Sequence, residues 1–400
     1  MTGPIEAGRV SRGPETGGVT AAGGFRAAGV AAGLKASGAR DVALVVNDGP
    51  RADAAVVLTS NRIKAAPVTW TEQCAKEGRF RAVVLNSGGA NACTGPAGFA
   101  DTHHTAEHVA ELLGVGPIEV AVCSTGLIGE RLPMDRLLAG VTAAGEALDP
   151  TGGLAAAEAI MTTDTVPKLA VARHPDGWTV GGMAKGAGML APGLATMLVV
   201  LTTDAVADPE TLDVALREAT RTTFDRIDSD GCMSTNDTVL LMASGASAIE
   251  PDQAQLTAAV SAVCADLARQ LIADAEGATK DIAIEVVNAA SEDDAVTAAR
   301  AVARSNLLKC AIHGEDPNWG RILSAVGTTG AAFAPDAIDV AINGVVICRD
   351  GAAFGDRAEV DMSSRDVVIT IDLRAGTASA TVWTNDLTAM YVHENSAYST

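Results

Sequence analysis

Three segments rich in glycine, amide and hydroxyl residues are too polar for a core. They are Asn86-Ser-Gly-Gly-Ala-Asn-Ala-Cys-Thr-Gly95, Cys123-Ser-Thr-Gly126 and Ser229-Asp-Gly-Cys-Met-Ser-Thr-Asn-Asp-Thr238. The first two directly follow apolar runs that read as strands. There the backbone N–H groups of a glycine turn can point into a cleft and make an oxyanion hole or an anion site. Tight turns in which Asn and Ser cap their own backbone have the same composition. A fourth segment, Lys185 to Asp204, sets a hydroxyl residue, Thr196, after the small Ala195 and at the head of a strand-like apolar run. By residue type alone Thr196 is a β-branched residue entering a strand, and no function follows from it.

Other familiar arrangements are missing. The P-loop, the strained nucleophile turn of the α/β-hydrolases and the paired-histidine zinc motif have no match. His104 and His108 would share a helical face beside His103, but no third ligand of suitable type is near, and a solvated helix surface accounts for all three. His313 and His393 adjoin informative segments without forming a motif.

Composition narrows the class. The 400 residues carry 29 Lys+Arg against 49 Asp+Glu, a net charge of −20, with 48% hydrophobic and only 3% aromatic residues. Chain length is ample for a core and suggests two or three domains or one large two-part unit. An acidic chain without a basic stretch lacks the clustered cations that displace counterions from phosphate backbones, so no nucleic-acid partner is expected. No apolar run of signal-peptide length follows Met1, and the apolar stretch Gly186–Leu201 is broken by Pro192 and Gly193. A cytoplasmic protein without a membrane partner is expected. Seven widely spaced cysteines without a CxxC pair read as reduced, buried thiols.

The elements that must position the polar segments follow from periodicity. Val42–Val46, Ala55–Leu58, Ala82–Leu85 and Ile118–Cys123 read as buried strands. Phe25–Leu34 and the stretch around Ala106–Leu113 read as small-residue helices, giving α/β layering. Asp208-Pro209 caps a helix carrying Leu212, Ala215, Leu216 and Ala219, and Val260 to Leu271 form a second helical stripe. Ser291-Glu-Asp-Asp294 resembles a capping box opening a third helix. Between the last two, Asp281–Val287 alternates as a strand. Ile338–Ile342, Val367–Leu373 and Ala378–Trp383 read as antiparallel strands joined by turns such as Ala375-Gly376-Thr377.

Seven segments then give the chain a likeness. They are Gly24–Lys35, Thr59–Val68, Ile160–Thr165, the Thr196 segment, Asp274–Lys280, Gly314–Arg321 and Asn395–Thr400. With them, almost end to end and in order, the sequence resembles the glutamate N-acetyltransferase family, the ornithine acetyltransferases of the cyclic arginine pathway. Gly89 departs from that pattern, where the family's turn more often has Asn; a backbone role at 89 survives the change.

The resemblance implies an α/β fold with two sheets sandwiched between helix layers, akin to N-terminal-nucleophile hydrolases in chemistry but distinct in topology. It implies self-cleavage between Ala195 and Thr196, giving an α portion (1–195) and a β portion (196–400) that stay associated and pair as α2β2. A threonine made N-terminal carries an amine with a pKa of about 7.7–8.0, able to take the hydroxyl proton without a histidine. The implied reaction is ping-pong acetyl transfer from N2-acetyl-L-ornithine to L-glutamate through an acetyl-Thr196 ester. Such an exchange needs no cofactor or metal; acetyl-CoA stays open as a second donor. By residue matching, Thr125 and Gly126 correspond to the oxyanion-hole pair, and Thr162, Lys185, Thr196, Glu276, Asn395 and Thr400 to substrate contacts. Lys185 suits a carboxylate and Glu276 an ammonium. A self-cleaving aminopeptidase or amidase is the competing enzyme reading, in which water replaces glutamate. A non-catalytic binding protein is the third reading, and it leaves the chain uncut.

Overall fold

The computed structural model describes residues 9–191 and 197–397. Ala195, Thr196 and Thr400 lie outside the described residues. The first part of the chain forms strands β1 (Arg9–Arg12), β2 (Phe25–Val30), β3 (Val42–Asn47) and β4 (Asp53–Leu58). Helix α1 (Ala66–Cys74), β5 (Ala82–Asn86), α2 (Gly95–Leu113) and β6 (Val120–Ser124) come next. Then come α3 (Met134–Glu146), α4 (Gly153–Ile160), β7 (Lys168–Arg173) and β8 (Thr179–Lys185). After residue 196 come β9 (Leu198–Thr203), α5 (Pro209–Thr222), β10 (Thr238–Ala243) and α6 (Gln253–Ala273). The C-terminal part holds β11 (Asp281–Ala289), α7 (Glu292–Ala303), α8 (Asn306–His313) and α9 (Trp319–Val326). It continues through β12 (Asp339–Ile342), β13 (Val345–Arg349), β14 (Ala352–Ala353), β15 (Asp366–Asp372), β16 (Ala378–Asn385) and α10 (Ala389–Ala397).

A six-stranded central sheet runs in the order β1-β7-β8-β9-β10-β4, and a four-stranded sheet in the order β2-β3-β5-β6. One face of the central sheet, through Leu169, Met183, Leu198, Val200, Leu240 and Met242, shares a core with the four-stranded sheet and α1–α4. Its other face, through Val180, Val199, Leu201, Val239 and Leu241, packs against α5 and α6. The layers are therefore helix, sheet, sheet, helix, the sandwich expected. The third sheet, β14-β13-β12-β15-β11-β16, builds its own core with α7, α8 and α9.

Local chemistry explains the helix starts. The Asp208 carboxylate accepts the Thr211 N–H at 2.8 Å with Pro209 in the first turn, and the Ser291 hydroxyl accepts the Asp294 N–H at 3.1 Å. Helix α6 is long and apolar enough to cross a bilayer by length and composition. Its stripe of Leu256, Val260, Val263, Leu267 and Leu271 is instead buried on the central sheet; each such side chain contributes about 1.5–3 kcal/mol by leaving water.

Three sequence expectations need correction. Phe25–Val30 is a strand rather than a helix, paired antiparallel with β3 from Phe25↔Asn47 to Val30↔Val42. Alanine's helix preference amounts to tenths of a kcal/mol per residue, less than burying Phe25 and completing a ladder. Small residues serve this strand because α4 lies on it: a Cβ at Gly29 would stand 1.8 Å from the Ala155 carbonyl oxygen. The consecutive strands β15 and β16 are not paired; β11 lies between them, parallel to β15 and antiparallel to β16. The thiols also divide, with Cys74, Cys123, Cys264 and Cys348 buried and Cys93, Cys232 and Cys310 exposed.

Candidate active site

The three polar segments meet at the carboxyl ends of β5 and β6 and the amino end of β10. Parallel pairing of β5 with β6 sets their carboxyl ends side by side. The Asn86 amide donates to the Ser124 hydroxyl at 2.7 Å, Thr125 N–H to the Asn86 carbonyl at 2.9 Å, and Gly89 N–H to the Thr125 carbonyl at 3.0 Å. Gly89 thus acts through its backbone, as its departure from the family pattern left open. From the third segment, the Asn236 amide donates to the Ala90 carbonyl at 2.6 Å and the Ser124 carbonyl at 2.8 Å, bracing both turns. Its neighbour Asp237 accepts the Met197 N–H at 3.1 Å, one residue beyond Thr196. Full burial pushes the Asp237 carboxyl well above the ordinary carboxylate range.

These turns form one wall of a cavity of about 600 Å³. Its lining includes Thr125, Gly126, Thr162, Lys185, Glu276 and Asn395, so every described site residue matched from the sequence faces the same space. Lys185, at the end of β8 and 2% exposed, donates to the Thr125 hydroxyl at 3.3 Å. Burial lowers its pKa, opposed mainly by the Asp164 carboxylate. Gly126 has φ 130° and sits against the Gly88–Gly89 turn, where a Cβ would be 2.9 Å from the Gly89 nitrogen. Among the described residues no hydrogen bond uses the Gly126 N–H, which leaves a donor beside the Thr125 hydroxyl.

The opposite wall carries the anion. Glu276 follows α6, its N–H bonded to the Ala187 carbonyl at 3.0 Å. Asn395 on α10 donates to the Glu276 carboxylate at 2.9 Å, so the C-terminal helix returns to the cavity. Thr388 ties that helix down through a 2.7 Å bond to the Gly277 carbonyl. Thr162 is half-buried at the rim, its N–H held by Asp164 at 2.9 Å. The cavity has one buried cation and one carboxylate on separate walls, suited to a zwitterionic amino acid. The histidines take other roles: His108 pairs with Thr142 at 2.8 Å, and among the described residues no cluster of His, Cys, Asp and Glu could hold a metal.

The match to a family model named the ArgJ family runs over residues 26–400. The chain belongs to the ArgJ family. An arginine biosynthesis bifunctional protein ArgJ from Streptomyces coelicolor is 68% identical over 381 residues, 95% of this chain and 99% of that protein. The protein of the same name from Mycolicibacterium paratuberculosis is 59% identical, with each chain covered completely. A solved chain of the ornithine acetyltransferase of Mycobacterium tuberculosis, complexed with ornithine, is 61% identical; the match covers 48% of this chain and all of that one, with a TM-score of 0.44.

Sequence reading of this ArgJ-family site missed four residues. Asp164 and Lys35 lie within segments that carried the resemblance, but their roles are visible only in three dimensions. Lys35 lines the cavity and donates to the Met161 carbonyl at 2.6 Å. Gly188 lies in the Lys185–Asp204 segment with nothing local to mark it, yet a Cβ there would stand 2.6 Å from a Glu276 carboxylate oxygen. Lys168 had no signal beyond being one of few lysines.

Proposed function

We propose that this cavity transfers the acetyl group of N2-acetyl-L-ornithine to L-glutamate, with Thr196 as the nucleophile after self-cleavage at Ala195–Thr196. The observation that supports the reading is the convergence, on one cavity, of Thr125, Gly126, Thr162, Lys185, Glu276 and Asn395 from five separate stretches of chain. The Thr196 oxygen bonds to the acetyl carbon, the amide C–N bond breaks, and ornithine leaves with the proton relayed by the new α-amine. Glutamate's amine then attacks the ester, the C–O bond breaks, and the threonine oxygen regains its proton. Thr125 and Gly126 face the oxyanion in both half-reactions, while Lys185 holds a substrate carboxylate and Glu276 ornithine's side-chain ammonium. Thr400 completes the same substrate-contact set.

The reaction exchanges one amide for a similar one, so no metal or nucleotide has a step to drive. The bifunctional names of the relatives favour acetyl-CoA as a second acetyl donor to glutamate. The two portions stay together as a soluble enzyme, and pairs assemble as α2β2. Initial-rate kinetics test the reading. Ornithine release that requires glutamate, with parallel double-reciprocal lines, is expected. Acetylornithine hydrolysis unaffected by glutamate would instead favour an amidase.

A further inference from the structure

We propose that a buried chain of charges, Asp164–Lys168–Asp274, is the positioning device that holds Thr162, Lys185 and Glu276 in one constellation. The inference rests on the acetyl-transfer reading above. Lys168 and Asp164 are fully buried, with the ammonium 2.7 Å from Asp164 and 2.6 Å from Asp274. Asp164 also accepts the N–H of Thr162 at 2.9 Å and that of Gly186, the residue after Lys185, at 2.6 Å. Asp274 stands two residues before Glu276 and accepts the Thr165 N–H at 3.0 Å. Three cavity segments from different parts of the chain are thereby tied to one ammonium group.

Stability does not account for this arrangement, because taking charges out of water costs several kcal/mol per ion and apolar side chains often replace a buried pair without loss. Position does account for it. A displacement of 1 Å in a substrate-holding group can cost roughly a hundredfold in rate, and the Lys168 ammonium joins the Asp164 side of the constellation, which holds Thr162 and Gly186, to the Asp274 side next to Glu276.

Asp164 also acts on charge. Lys185 is faced by Asp164 and Lys168 from one side, Asp237 and Glu276 from others, and Lys35 across the cavity. Asp164 is the strongest of the groups keeping Lys185 cationic against burial.

The test uses the full-length protein, with cleavage state checked by intact mass. Lys168→Met leaves two carboxylates without their cation and lowers thermal stability. In Lys168→Met/Asp274→Leu one of the two carboxylates is gone and the other, Asp164, still faces the Lys185 ammonium, so the melting midpoint recovers in large part. The account expects the KM values for acetylornithine and glutamate to stay raised about tenfold to a hundredfold while kcat changes less. Asp164→Asn should move the alkaline fall of kcat/KM for glutamate to lower pH, because the carboxylate that favours the Lys185 ammonium is lost. KM values that return with stability, or an unmoved alkaline limb in Asp164→Asn, overturn the proposal. Should the double variant not fold, the KM values of Asp164→Asn decide: they rise for both substrates if Asp164 positions Thr162 and Lys185, and wild-type KM values overturn the proposal. Absence of transfer in the wild-type protein would overturn the functional reading instead, so the two failures are distinguishable.

Discussion

Lys185 donates to the Thr125 oxygen at 3.3 Å, which leaves the Thr125 hydrogen free to point at a developing oxyanion. Thr125→Ala removes that donor and is expected to lower kcat by about 10²–10³, or about 2.7–4 kcal/mol of transition-state stabilisation, with a much smaller change in KM. Steady-state acetyl transfer measures it; a KM effect alone would reassign Thr125 to substrate binding. On the other wall, Gly188→Ala drives a Cβ into the Glu276 carboxylate and displaces the anion. Its expected result is a KM for acetylornithine raised about tenfold, or about 1.4 kcal/mol. The melting temperature should change little, because the carboxylate end of Glu276 can move aside. Asp164 sets an acid limit of its own. Burial raises its pKa, but the charges of Lys185 and Lys168 overcome this and bring it to about 2. With its folded pKa below the unfolded value of about 3.9, its contribution to stability is complete above that value and lost as pH falls toward 2. Melting temperature should fall more steeply across that window in wild type than in Asp164→Asn.

Among elements, the turns after β5 and β6 form the cavity wall that carries Thr125 and Gly126, and Asn236 is the brace between them. Asn236→Ala leaves the buried Ala90 and Ser124 carbonyls without their donor, at about 1–3 kcal/mol for each unsatisfied group. Urea unfolding should show that loss, together with a lower kcat as the Thr125–Gly126 turn drifts. A stable variant with full kcat would mean the turns hold themselves. The three polar segments were legible in the sequence because Gly, Asn and Ser after a strand have few uses other than turns. The residue matches of Lys185 and Glu276 were legible through the family likeness. Helices α5, α6 and α7 were readable from caps and periodicity. Strand β2 was not, since Ala and Gly carry no period and α4 decides the outcome by packing on it. Nor was the insertion of β11 between β15 and β16, a non-local pairing that adjacent turns suggest against. Lys168 and Asp164 were hidden because a buried ion chain is written in no local pattern.

Across the whole molecule, the boundary at residues 195 and 196 does not separate two bodies. Strands β9 and β10 come from the later portion and lie in the central sheet between β8 and β4 of the earlier one, with β9 bonded to β8 from Val180↔Thr203 to Lys185↔Leu198. Parting the portions would tear that sheet on both sides and open both large cores. The portions should therefore co-elute in native size-exclusion chromatography and separate only in denaturant. The acidic balance of −20 favours solubility and plays no part in the cavity, where Lys185 and Glu276 oppose each other. The central claim is that Thr196 is made N-terminal by the chain itself and then carries the acetyl group. Intact-mass spectrometry of freshly purified protein under denaturing conditions tests it most directly. The account predicts two species, residues 1–195 and 196–400, with acetylornithine adding one acetyl group to the second, and a single uncut chain for Thr196→Ala. A wild-type chain that remains a single 40.4 kDa species while transferring acetyl groups would contradict it.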